Sequence, residues 1–210
     1  IMDHDSVAGG EEFVEAARML GIGATVGFEC RCSMDRTPFA GKRINNPDQL
    51  SVAYLVCHGV PHQNIGKVQD WLAPVRHKRN LRNRKMVDNL NALLEGSGVT
   101  LDFDMDVLPL SQAENGGSVT ERHLLYALAF AITEKLGKGG PAAGFVQEKL
   151  GLDLPGKVTA KLMDAGNPAY EYDLLGILKA GLVEKFYVPA TDECPDVEEF
   201  LTFTKSIGAI

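Results

Sequence analysis

The chain has 210 residues, 45% of them apolar and 23% charged, with a formal charge of -7 at neutral pH. That length and apolar share suit one sizeable domain, or one domain with a large insertion, and an ordinary buried core. The acidic balance argues against bulk nucleic-acid binding, because a sequence-independent grip on a polyanion needs a net basic face, and no apolar run reaches membrane-spanning length.

The four cysteines, Cys30, Cys32, Cys57 and Cys194, match neither zinc-pair spacing nor a small disulfide framework, so reduced thiols in a cytoplasm are expected. In chain order, the apolar lead Ile1-Met2 runs into Asp3-His4-Asp5, and a small-residue turn and a helical pattern over Glu11 to Leu20 follow. The triplet is therefore expected at the carboxyl end of a buried strand, where open α/β sheets and barrels hold their chemistry. Gly21 stops the helix. A strand over Ile22 to Cys32 follows, and the β-turn-α-β order implies parallel pairing, which brings Glu29 to the rim beside Asp3 and His4. The residue types admit two readings: ligands for a divalent cation, or, for Asp3 and Asp5, caps of the following helix.

The run Asp3-His4-Asp5-Ser6, then Gly9, Leu20-Gly21-Ile22 and Gly27-Phe28-Glu29 resembles the second and third metal motifs of the polymerase and histidinol phosphatase (PHP) superfamily. The resemblance implies an α/β fold, part of a distorted (β/α)7 barrel with a mainly helical insertion. It implies divalent metal ions, zinc, manganese, iron or magnesium, and His4 and Glu29 as ligands, with Asp3 and His58 as further candidates. The implied activity is metal-dependent hydrolysis of a phosphate ester, a small phosphorylated metabolite or a nucleotide. The family's first His-x-His strand and last Asp-x-His strand would lie outside the chain, which reads as a piece of something longer.

Residues 33 to 50 form a long polar loop. Ser51 to Cys57 is a further strand that delivers His58, either a ligand or a capped strand end. The slot where the family places a ligand histidine holds Ala53, so a degenerate domain that binds a phosphorylated ligand or partner without catalysis is the alternative. After a short helix from Asn64 to Leu72, Pro74 marks a break before the basic run Arg76 to Lys85. Lys78, Arg82 and Lys85 there share a face that either holds a phosphate or is merely solvated. Asp102, Asp104 and Asp106 lack the glycine and closing glutamate of a calcium loop. Ser118 and Glu121 fit a capping box at the start of a helix carrying Arg122 and His123. By resemblance to a phosphate-binding motif of the family, Arg122 and His123 are candidates to hold a phosphate, the alternative being a plain ion pair and a packed histidine. Helices are expected over Ala142 to Leu150, Tyr170 to Phe186 and Val197 to Ile207, then a strand opening at Ala209-Ile210, while residues 152 to 167 give no firm signal. The expected division is residues 1 to 75 as partial barrel, 76 to 165 as helical insertion, and 166 to 210 as the barrel resumed.

Overall fold

The computed structural model describes residues 1–209. The chain forms two compact units, one of residues 1–81, 112–118 and 189–210, the other of residues 82–111 and 119–188. No described helix is long and apolar enough to cross a membrane.

The first unit holds a three-stranded sheet in the order β1 (Met2–His4), β2 (Gly27–Ser33), β3 (Val52–Cys57). The expected crossover is present: α1 (Gly10–Leu20) links β1 to β2, which run parallel with Met2 beside Gly27, Asp3 beside Phe28 and His4 beside Glu29. Helix α1 ends as foreseen, with Gly21 in the left-handed region at φ 66°. β3 does not follow the barrel pattern. It is antiparallel to β2, pairing Phe28 with Cys57, Arg31 with Tyr54 and Cys32 with Ala53, and a (β/α)7 barrel is not what these three strands form. Because side chains alternate across a sheet, Phe28, Cys30 and Cys32 share one face with Ala53, Leu55 and Cys57. That face is packed by Val68, Leu72 and Val75 of the next helix and by Val197 and Phe200 of α8 (Val197–Ser206). Trp71 stacks on Phe203 at 4.6 Å between ring centres and closes the layer. At the outer flank of β3, the Asn45 side chain accepts from the Tyr54 N–H and donates to the Tyr54 carbonyl, both at 2.8 Å.

Pro74 breaks nothing. A single helix, α2, runs from Ile65 to Leu93 with Pro74 inside it. The proline ring is exposed, and in the turn before it the Gln69 carbonyl accepts from Arg76 Nη2 at 3.1 Å. The buried positions of α2 explain its continuity: Ile65, Val68, Leu72, Val75, Arg79, Arg82, Met86 and Leu90 keep one helical stripe, so the basic segment continues the core face in phase.

The second unit is helical: α3 (Glu121–Leu136), α4 (Gly140–Glu148), α5 (Gly156–Met163), α6 (Tyr170–Gly181) and α7 (Val183–Phe186). α5 occupies the stretch without sequence signal, and the helix expected over Tyr170 to Phe186 divides at Leu182. The unit's buried apolar residues include Met86, Val87 and Leu90 of α2, Leu124, Leu125, Leu128 and Ile132 of α3, and Leu174 and Leu178 of α6, with α3 packed along α6. Buried Tyr170 ties this unit together: its hydroxyl donates to the Leu162 carbonyl at 2.8 Å and accepts from the Gly139 N–H at 2.9 Å. Helix α6 lies with the helices of this unit, and residue 189 opens the last segment of the first unit. The expected strand opening reaches Ile210, which lies outside the described residues.

Candidate functional site

Several hydrogen bonds converge on the carboxyl end of β1. His4 and Glu29 are direct partners across the parallel pair, so their side chains share a face. The Glu29 carboxylate makes no hydrogen bond or ion pair among the described residues. His4 Nδ1 lies 3.3 Å from the Glu29 backbone oxygen and 3.3 Å from Asp5 Oδ2, while Nε2 is buried with no partner. Tyr54 meets the imidazole edge-on at 5.7 Å. Ser118 Oγ donates to the His4 carbonyl at 2.6 Å and so pins the backbone at this point.

Asp5 is not the helix cap that its position suggests. It is 2% exposed, and Arg79, 1% exposed, donates to Asp5 Oδ2 in a buried ion pair. Its backbone takes the left-handed conformation at φ 56°, which costs a non-glycine residue about 1–2 kcal/mol. Three bonds compel that conformation: the Asp5 N–H donates to the Glu29 carbonyl at 2.8 Å, Arg76 Nη1 donates to the Asp5 carbonyl at 3.2 Å, and Arg79 takes the carboxylate. Burial acts to raise the Asp5 pKa, but the hydrogen bond with His4 and the charge of Arg79 outweigh it and hold the carboxyl well below the ordinary range. Helix α1 starts instead from Gly9, with no side-chain cap.

The other expected ligands lie apart. Asp3 precedes His4 on a strand, so it projects to the opposite face, and it is exposed. His58 follows Cys57, the partner of Phe28; antiparallel β3 therefore carries it back toward Gly27, away from the end where His4 sits, and it too is exposed. Ala53 pairs with Cys32 on the core face and is 1% exposed. Since His4 and Glu29 occupy the other face, an alanine at position 53 says nothing about a lost ligand. Among the described residues no three His, Cys, Asp or Glu side chains gather as a metal cluster would.

In the second unit, Arg82 is no surface phosphate ligand. It is 5% exposed, donates from Nη2 to Glu121 Oε1 at 3.2 Å and from Nη1 to the Val188 carbonyl at 2.9 Å, and lies over the Tyr187 ring. Lys78 and Lys85, expected on the same face, are exposed. The capping box exists, two residues later than expected. Thr120 is the N-cap and His123 the third helical residue, with His123 Nδ1 accepting from the Thr120 N–H at 3.0 Å. That bond leaves the ring proton on Nε2. Arg122 is exposed in the same first turn.

Arg79 and Ser118 are the residues that the sequence reading missed. Arg79 carried a signal: it falls at the next buried step after Ile65, Val68, Leu72 and Val75. Ser118 carried none, because it lies 114 residues along the chain from the carbonyl it bonds.

No family model matches the sequence, and no curated protein matches it. Among solved structures, the chain is similar to a Bifidobacterium adolescentis protein provisionally named a metal-dependent phosphoesterase, with a TM-score of 0.55 and 18% identity. The likeness is one of fold. All of this chain aligns with 53% of that one, so the chain spans about half the length of the protein it resembles.

Proposed function

We propose that the chain carries part of a PHP-type site for the metal-dependent hydrolysis of a phosphate ester, a small phosphorylated metabolite or a nucleotide. The observation behind this reading is the pairing of His4 with Glu29 on one face, with His4 Nε2 buried and unbonded. A buried acceptor with no donor costs about 1–3 kcal/mol, and an electrophile placed there would remove that cost. The fold likeness agrees with the reading.

The donor set fits two ligands of a divalent ion: the imidazole Nε2 of His4 and the carboxylate of Glu29. Asp5 is withheld by Arg79. Such an ion, when bound, supplies Lewis-acid polarisation of a phosphoryl oxygen. The chain's own contribution there is to hold His4 and Glu29 in register; in the second unit, taken by itself, Arg122 and His123 in the first turn of α3 are candidates to hold a phosphate.

Full-length protein tests this directly. Elemental analysis is expected to find tightly bound divalent metal, and His4→Ala is expected to lower both metal content and phosphomonoesterase rate. Metal-loaded protein that hydrolyses no phosphomonoester or nucleotide, with His4→Ala changing neither quantity, rejects the proposal. Less than about one ion per chain would favour a binding domain without turnover.

A further inference from the structure

We infer that Asp5 and Arg79 are positioning residues that fix the tautomer of His4, so that the imidazole presents a bare Nε2 to the bound electrophile; as far as that electrophile is a metal, the inference rests on the function proposed above. The geometry of Nδ1 carries it. Both groups within reach of Nδ1 are acceptors only: the Glu29 backbone oxygen and Asp5 Oδ2, each at 3.3 Å. Two acceptors cannot face a lone pair, so the ring proton sits on Nδ1. The neutral ring then carries its lone pair on Nε2, the atom that is buried and unbonded.

Asp5 can act in this way only if its carboxylate stays ionised and in place, and Arg79 secures both. Arg79 is fully buried on α2 and donates to the same oxygen, Oδ2, that faces His4. Arg76, one turn earlier on α2, holds the Asp5 carbonyl. The left-handed φ of Asp5 turns its carboxylate back beneath the preceding histidine, which an extended strand residue could not do, because consecutive side chains on a strand point to opposite faces. Strand end, reversed residue and helix arginine thus form one chain, Arg79 to Asp5 to His4. Outer groups of this kind orient a ligating histidine and make it more basic, and their loss typically costs about 10–100-fold in metal affinity.

The test begins with a readout that needs neither metal nor turnover. Nitrogen-15 spectra of the imidazoles in full-length, metal-free protein are expected to show His4, identified by the signals missing in His4→Gln, locked with Nδ1 protonated and Nε2 unprotonated. A reversed tautomer, or rapid averaging of the two, overturns the inference. Asp5→Asn is then expected to release the lock and to weaken binding of zinc or manganese about 10–100-fold, with circular dichroism confirming the fold. Should Asp5→Asn fail to fold, the wild-type spectrum still decides. A locked Nδ1–H tautomer in a protein that binds no metal overturns the phosphoesterase proposal and leaves the relay standing; unchanged affinity in folded Asp5→Asn overturns the relay and leaves the proposal standing.

Discussion

Two buried charges set the character of the sheet unit, Asp5 and Arg79, each hidden from solvent and each engaged by the other. Removing one partner of such a pair strands the other, so Asp5→Ala and Arg79→Ala are each expected to cost about 3–5 kcal/mol in urea unfolding. The apolar double replacement Asp5→Leu with Arg79→Met is expected to recover most of that loss while abolishing the hold on His4. Stability and orientation would thereby separate, since the pair's local value is directional. The thiols also respond to burial. Desolvation pushes Cys57 up to about 11, and desolvation with the adjacent Glu193 pushes Cys194 up to about 12. Both groups bind their protons more tightly folded than unfolded, so their contribution is intact below the ordinary thiol value of about 8.5 and is lost as pH rises toward the folded values. Native protein at pH 8 is expected to react with a thiol reagent far more slowly at both positions than urea-unfolded protein does.

At the level of the helix, α3 shows how a motif can be read correctly in kind and misplaced in position. Thr120 and His123 cap it, where Ser118 and Glu121 had the more familiar letters. Ser118 is engaged with the His4 carbonyl, and Glu121 pairs with Arg82. Tertiary partners outbid the local pattern. Thr120→Ala is expected to cost about 1 kcal/mol, and His123→Glu, which restores the usual acidic partner of a capping box, is expected to keep the stability that His123→Ala loses; differential scanning calorimetry on the three variants checks this. If His123 also meets a phosphate, His123→Glu keeps the helix and loses the anion, which separates the two roles of one side chain. Helix α2 teaches the complementary lesson. Its apolar phase was visible at Ile65, Val68, Leu72 and Val75, and extending it would have passed through Pro74 to Arg79. Residue type suggested a solvated basic face, but position on the stripe decided burial.

Over the whole chain, the elements announced by strong periodicity were legible: β1 with its crossover through α1 to β2, the strand that became β3, the helical stretch between, and the last helix. What sequence could not supply was direction and distance. Nothing in Val52 to Cys57 says whether the strand runs with or against β2; the antiparallel direction moves His58 away from His4, and the register with Cys32 puts Ala53 into the core. The pairing of His4 with Glu29 was legible because a short crossover fixes parallel register. The relay behind His4 was not, because it spans 74 residues from Asp5 to Arg79. The Asn45 side-chain amide occupies the Tyr54 donor and acceptor as a neighbouring peptide would, so the flank of β3 is blocked to a templated strand at that residue. Asn45→Ala reopens it, and light scattering is expected to show concentration-dependent self-association in the variant alone. A side chain that stands in for a neighbouring strand at Tyr54 thus guards the middle of an exposed edge without adding a strand to the sheet.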